Sequence, residues 1–470
     1  MPGVAQPPSS RPNVIVLLAD DLGWSDTQCY GSSYYKTPNI DALAKSGMRF
    51  TNAYAACTVC SPSRASILTG KYPARLRLTD WITGYQRPFA KLLPPPWTAF
   101  LAREEVTIAE VLNKQNYATA MIGKWHLGDD VKYYPEHQGF DSNIGGTFQG
   151  SPPSYFSPYR NARLMDGPKG EYLTDRLTNE AIDFIKREKD NPFLLFLSFY
   201  AVHTPLQAKE TDVALYKKRI DSTATQQNPL YAAMVHNLDE NIGRLQEVVK
   251  QLGLSRNTLI IFTSDNGGLV KGNDWKKGKI TSNDPLRGGK GTAYEGGTRV
   301  PLICSWEGNI KAGTLNKEPV IGTDLFATIA TVAGTGATLL QGDGSSLLPL
   351  LEGKSKTNRP ALFWHYPHYH SEGATPYSAI RKGDWKLIYF FEKETSELYN
   401  LLKDPGETNN LSAKEQTRTT ALYNELVAWQ KEVAAQLPAI NPAYDRAKEK
   451  QSGATGKRTV KDAGTLEENE

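Results

Sequence analysis

The sequence predicts an α/β protein with a smaller α+β subdomain at its C-terminal end. Three observations carry this. Short, nearly continuous apolar runs at 13–19, 117–122, 192–202 and 258–263 read as strands buried in a parallel arrangement, with helical periodicities between them. A chain of 470 residues is too long for one small core. After a Gly- and Thr-rich stretch at 334–344 the texture changes to short strand-like segments at 361–366, 378–381, 385–391 and 396–402, then a helix at 413–436. The expected organisation is an N-terminal extension (1–12), a large main domain (13–340), a C-terminal subdomain (341–443) and a charged, partly disordered tail (444–470).

Composition narrows the function. Apolar content of 39%, charged content of 22% and a net charge of +4 describe a globular protein without the basic face of a nucleic-acid binder. The longest apolar run, within 193–202, is far short of the roughly 20 residues a spanning helix needs, so no membrane partner is expected. Four cysteines, Cys29, Cys57, Cys60 and Cys304, are too few for a disulfide scaffold. Cys57 and Cys60 form a C-x-x-C pair, but no second pair and no thioredoxin-like context accompanies it. The N-terminus has no apolar signal core. The expected location is periplasmic or secreted with a signal peptide already removed, or else cytoplasmic.

In chain order, the run 13–19 ends in Asp20-Asp21. Two adjacent carboxylates after a buried strand are costly unless a cation neutralises them. A solvated loop is the alternative; a metal site at the strand's carboxyl end is favoured, because a second such ending follows. Residues 37–50 carry a short helix stopped by Gly47. Ser61-Pro62-Ser63 opens a helix near Cys60, and a helix N-terminus offers N–H groups to an anion. Residues 76–100, rich in Trp, Tyr, Pro and Arg, form a long loop that either walls a cleft or packs on the surface.

A helix at 104–115 leads to the strand 117–122, which ends in Gly123-Lys124-Trp125-His126. A loop-rich region and a helix at 174–189 precede the run 192–202, which ends at His203-Thr204-Pro205. The clearest helix spans 229–253, with Val235, Leu238, Ile242, Leu245 and Val249 on one core face. The strand 258–263 ends in Ser264-Asp265-Asn266-Gly267-Gly268. Asp20, Asp21, Asp265 and Asn266 offer only oxygen, so Ca²⁺ is expected, with Mg²⁺ next, rather than zinc. The stretch 271–299 is basic (Lys271, Lys276, Lys277, Lys279, Arg287, Lys290, Arg299); it is either a solvated face or an attractor of polyanions. Phe363-Trp364-His365-Tyr366-Pro367-His368-Tyr369-His370 suggests sugar stacking by His365, His368 and His370, with Arg381, Trp81 and Trp97 as further substrate contacts. Ordinary packing is the alternative.

The segment Cys60-Ser61-Pro62-Ser63-Arg64, extended by Leu68-Thr69-Gly70, resembles the signature of the type I sulfatases, formylglycine-dependent members of the alkaline phosphatase superfamily. With the four strand endings and Lys290, the resemblance covers residues 13 to about 410. It implies a large mixed sheet sandwiched by helices, with a C-terminal antiparallel sheet. It also implies oxidation of Cys60 to formylglycine by a formylglycine-generating enzyme, and a place for residue 60 among the metal ligands Asp20, Asp21, Asp265 and Asn266. Arg64 would hold the activated diol, Lys124 and Lys290 the sulfate. His203 would protonate the leaving alcohol and His126 would deprotonate the second hydroxyl.

The activity implied is sulfuric ester hydrolysis. A sulfated carbohydrate, a galactose-type unit of an algal or host glycan, is the favoured substrate. The alternatives are an arylsulfatase-like or a phosphonate/phosphodiester hydrolase, and an inactive sulfatase-like glycan-binding protein.

Overall fold

The computed structural model describes residues 11–451 except 222, 272–277, 336–341, 355 and 358. Most of the expected N-terminal extension, Lys276 and Lys277, the expected boundary near residue 340 and the end of the charged tail (452–470) lie outside the described residues.

The strand Asn13–Ala19 is the spine of the large sheet. It pairs in parallel with Phe193–Ser198 on one side and Thr258–Ser264 on the other. The eight-stranded order runs Thr314–Asn316, Met48–Phe50, Leu302–Ser305, Thr258–Ser264, Asn13–Ala19, Phe193–Ser198, Ala118–Gly123, Ser142–Ile144. Leu302–Ser305 runs antiparallel to both neighbours, so the sheet is mixed. The unbroken apolar run of the central strand is explained by burial on both faces. Ile15, Leu17 and Ala19 enter one core, with helices Leu173–Arg187 and Pro229–Gln251; Val14, Val16 and Leu18 enter the other, with Cys60–Thr69 and Thr323–Val332. The Pro229–Gln251 helix starts at Asn228, whose side chain accepts from the amides of Leu230 and Tyr231.

The C-terminal subdomain is an antiparallel sheet of Leu362–Tyr366, Tyr377–Lys382, Trp385–Phe390 and Thr395–Asn400, covered by the helix Gln416–Glu432. Trp429 of that helix stacks on Phe363 with ring centroids 4.8 Å apart. The subdomain docks on the large domain through Trp364, whose indole N–H donates to the Ala55 carbonyl at 2.9 Å.

One boundary differs from the sequence reading. The strand expected over 192–202 stops at Ser198, and residues 199–203 turn away to carry His203. The expected tail begins in an ordered helix, Arg446–Gln451, tied back by Arg87 to Glu449 at 2.8 Å. Among the described residues, no helix is long and apolar enough to cross a membrane.

Candidate active site

The carboxyl ends of the central strands converge on the first residue of the helix Cys60–Thr69. Asp20 and Asp21 follow Ala19, Asp265 follows Ser264, and Lys124 follows Gly123. Each therefore arrives at the same edge because its strand is in parallel register with Asn13–Ala19 or one strand removed from it. Gly123 is required here: its φ is +99°, and a Cβ would lie 2.0 Å from the Ser198 carbonyl oxygen. That same carbonyl accepts from the Lys124 amide at 2.8 Å. His203 is brought in by the turn after Ser198, where the Asp20 amide donates to Ala201 and the Val202 amide donates to Asp20.

Three carboxylates and three cations pack around Cys60, all buried. Lys124 Nζ lies 2.7 Å from Asp20, and Lys290 Nζ lies 2.8 Å from Asp21 and 3.3 Å from Cys60 Sγ. Arg64 bonds Asp265 through Nε and Nη2, both at 2.8 Å, and donates through Nη1 to the Lys124 carbonyl at 2.9 Å and to Ser198 Oγ at 2.5 Å. Cys60 Sγ stands 3.8 Å from Asp20 Oδ1. Asn266 donates to Asp21 at 2.7 Å, while its own Oδ1 is buried without a hydrogen-bond partner.

The electrostatics follow from burial. Burial pushes the Asp20 carboxyl up to about 7 against the pull of Lys124, with Asp265 adding to the rise. Burial also opposes ionisation of Asp21, but Lys290, His203 and Lys124 together hold it below the ordinary range. Burial raises the Cys60 thiol to about 11 even though Lys124 and Lys290 oppose it, so the unmodified cysteine is a poor nucleophile. Burial, then Lys124, keeps His126 neutral. Burial, then Lys290, lowers His203 to about 3.

Both histidines have a defined tautomer. His126 Nε2 donates to the Ile82 carbonyl, leaving Nδ1 as a buried acceptor without a partner. His203 Nδ1 donates to the Thr204 carbonyl at 2.6 Å, which leaves Nε2 facing Asp21 at 3.6 Å. Asp21 and His126 also have left-handed backbones, φ +59° and +63°, a conformation costing about 1–3 kcal/mol for non-glycine residues and concentrated at functional sites.

Asp20, Asp21, Cys60 and His203 offer ligand atoms within 4.8 Å of one another. Asp265 and Asn266 complete an oxygen-rich set beside them. The orphaned Asn266 Oδ1 and the burial that lifts Asp20 both fit a site for a hard cation. The donor set thus fits a divalent metal.

The candidate catalytic and metal residues lie together; the candidate sugar contacts do not. Trp97 is fully buried against Ile82 and Ala99. His368 bonds Thr79 Oγ1 at 2.8 Å and faces Asp80 at 3.7 Å. Both ring nitrogens of His365 are occupied, by Ser378 at 2.6 Å and the Gln436 carbonyl at 2.8 Å. Arg381 is buried between Tyr54 and the Gly383 carbonyl. These four pack inside the protein, so the sugar stacking expected of His365 and His368 and the substrate contacts expected of Trp97 and Arg381 are corrected: a His- and aromatic-rich strand signals interior packing as readily as a glycan platform. Trp81, next to Ile82, and His370, laid against Gly291, remain beside the catalytic groups.

Sequence reasoning missed Ser198 and the Ile82 carbonyl. Ser198 was hidden inside a strand drawn too long, and a backbone carbonyl has no sequence signal.

The family description "Sulfatase" matches residues 12–335, and "N-sulphoglucosamine sulphohydrolase, C-terminal" matches residues 289–433. A sulfatase of Formosa agariphila is 32% identical over 90% of this chain and 89% of that protein. Human steryl-sulfatase is 32% identical over 81% of this chain and 76% of its own. The crystal structure of Ps i-CgsB superposes with a TM-score of 0.76 at 29% identity, covering 96% of this chain and 99% of that one; a second structure of it holds k-i-k-neocarrahexaose.

Proposed function

The chain belongs to the formylglycine-dependent sulfatase family of the alkaline phosphatase superfamily, and from that premise we propose that it removes O-sulfate from a sulfated carbohydrate, with a galactose-type unit favoured. The observation that carries the hydrolase reading is Cys60 at a helix N-terminus, 3.3 Å from Lys290 Nζ, among three acidic strand ends. The carbohydrate reading rests on the likeness, over 95% of this chain, to Ps i-CgsB, one structure of which is a complex with k-i-k-neocarrahexaose. Similarity to steryl-sulfatase makes a hydrophobic or aryl sulfate the competing substrate class.

In the proposed chemistry, Cys60 Sγ marks the position that the hydroxyls of hydrated formylglycine would take. Asp20, Asp21, Asp265 and Asn266 would hold Ca²⁺, which would supply positive charge to a bound hydroxyl and to sulfate oxygens. Lys290 and Lys124 face that position and would stabilise the charge on the sulfate in the transition state. One hydroxyl of residue 60 attacks sulfur, its proton passing to the Asp20 carboxylate beside it, and the bond from sulfur to the alcohol oxygen breaks. His203 gives that oxygen a proton. Its ring is neutral in the free site, so the proton must be gained as the anionic sulfate arrives and offsets Lys290. The free Nδ1 of His126 takes the proton of the remaining hydroxyl; sulfate leaves and the aldehyde is restored. A thiol has no second hydroxyl to collapse, which is why this chemistry requires modified Cys60.

The test is sulfate release from methyl galactoside 2-, 3-, 4- and 6-sulfates, neocarrahexaose, 4-nitrophenyl sulfate and a sterol sulfate. Preference for one sugar ester supports the reading. Preference for the sterol or aryl ester transfers it to the competing class.

A further inference from the structure

The C-terminal subdomain reaches the catalytic groups through one side chain, His370. The turn it occupies is fastened to the loop that carries Lys290. The Ala374 amide donates to the Gly291 carbonyl at 3.1 Å, and the His370 amide donates to the Ala374 carbonyl at 3.0 Å. The ring packs against Gly291, one residue from Lys290, with its Nδ1 edge nearest. A Cβ at position 291 would fall 2.0 Å from His370 Nδ1, and Gly291 has φ +73°, so glycine is what admits the ring there. Gly291 in turn donates to the Thr58 carbonyl at 3.0 Å, two residues from Cys60.

The hydrogen bonding sets the ring's tautomer. His370 Nδ1 accepts from the Glu372 amide at 3.1 Å, so the proton of the neutral ring is on Nε2. Nε2 has no partner among the described residues. His370 as a whole is 7% exposed, and Nε2 is not sealed off from solvent. Burial, then Lys290, lowers the His370 pKa to about 3 and keeps the ring uncharged. A neutral N–H donor beside a lysine suits an uncharged oxygen. A second sulfate would be better served by another cation.

We propose that His370 is a specificity-determining residue whose Nε2–H donates to a free sugar hydroxyl next to the sulfated carbon. This rests on the carbohydrate reading above and names the contact that would make a sugar a better substrate than a simple aryl ester. A site built to hydrogen-bond a substrate hydroxyl discriminates strongly against the analogue that lacks it.

The experiment is a two-way cycle between protein and substrate. The methyl galactoside sulfate that the enzyme prefers is compared with its deoxy analogues at each neighbouring carbon, for wild type, His370→Ala and His370→Gln. In wild type, one deoxy analogue should lose about tenfold or more in kcat/KM. His370→Ala should lose a similar factor on the parent ester and little more on that analogue, and His370→Gln, which keeps an N–H donor, should recover part of it. Additive losses, or equal losses on the sugar ester and on 4-nitrophenyl sulfate, overturn the proposal. The same cycle read as binding by calorimetry on Cys60→Ala protein in calcium buffer needs no turnover. Non-additive binding there supports the His370 contact even if hydrolysis fails, and additive binding overturns it even if hydrolysis succeeds.

Discussion

The cluster around Cys60 and the cluster around Glu295 hold comparable buried charge, and they differ in what each leaves unpaired. Around Glu295, at the junction with the C-terminal subdomain, each carboxylate meets a cation of the protein. Glu295 Oε1 meets Lys386 at 3.0 Å, and Oε2 meets Arg299 at 2.6 Å and the Tyr54 hydroxyl at 2.7 Å. Glu407 accepts from the Glu295 amide at 2.6 Å and pairs with Lys386 at 2.9 Å. Around Cys60, by contrast, Asn266 Oδ1 and His126 Nδ1 are buried neutral acceptors with no hydrogen-bond partner. A completed buried network specifies a docking geometry. An incomplete one is a place where a cation and an anion are expected.

The two clusters are also joined. Glu295 opens the short helical turn Glu295–Thr298; within it the Gly297 carbonyl accepts from the Gly267 amide, next to Asn266. Lys290 lies five residues before Glu295, and its amide donates to Gly268. The subdomain therefore braces the segment that brings Lys290 to Asp21.

The comparison breaks most sharply at Lys386. Lys386→Met leaves Glu407 beside Glu295 without its cation and should cost about 3–5 kcal/mol, read as a fall in the urea midpoint at unchanged slope. Lys290→Met should do the reverse: a smaller shift of midpoint in calcium buffer, but a loss of about 10²–10³ in kcat for sulfate release, of the size expected for one transition-state charge contact. Equal destabilisation by the two variants would erase the distinction between finished and unfinished clusters.

Calcium sharpens the contrast next. Added at about 100 times its Kd it should stabilise the wild type by about 2.7 kcal/mol, seen as a rise in Tm, and Asp265→Asn should reduce that rise. A rise untouched by the Asp265 change would place the cation elsewhere. The smallest effect concerns pH. Burial, resisted by Lys386 and reinforced by Glu295, raises the Glu407 carboxyl. The native state thus keeps a proton that the unfolded chain has lost, so stability falls as pH rises from the ordinary glutamate range through the raised value. Glu407→Gln should flatten that fall in Tm measured across pH 4.5–8; an unchanged slope would assign it to another group.

These contrasts also mark what was legible beforehand. The strand endings were visible because burial on both faces writes unbroken apolar runs such as 13–19, and a polar residue directly after one stands out. Cys60-Ser61-Pro62-Ser63-Arg64 was legible because it is local. The Glu295 cluster was not, since its members come from 54, 295, 299, 386 and 407 and only the folded subdomain brings them together. His365, His368 and Arg381 misled for a related reason: composition shows which groups are present, and strand register decides whether they face a cleft or the interior.

The most direct measurement is sulfate release from the methyl galactoside sulfate panel by wild type and Cys60→Ala, with the mass of the Cys60 peptide determined on the same preparation. The account predicts a formylglycine mass in the wild type, release from one ester in preference to the others, and none from Cys60→Ala. A preparation carrying formylglycine that releases sulfate from no sugar, aryl or sterol ester would contradict it.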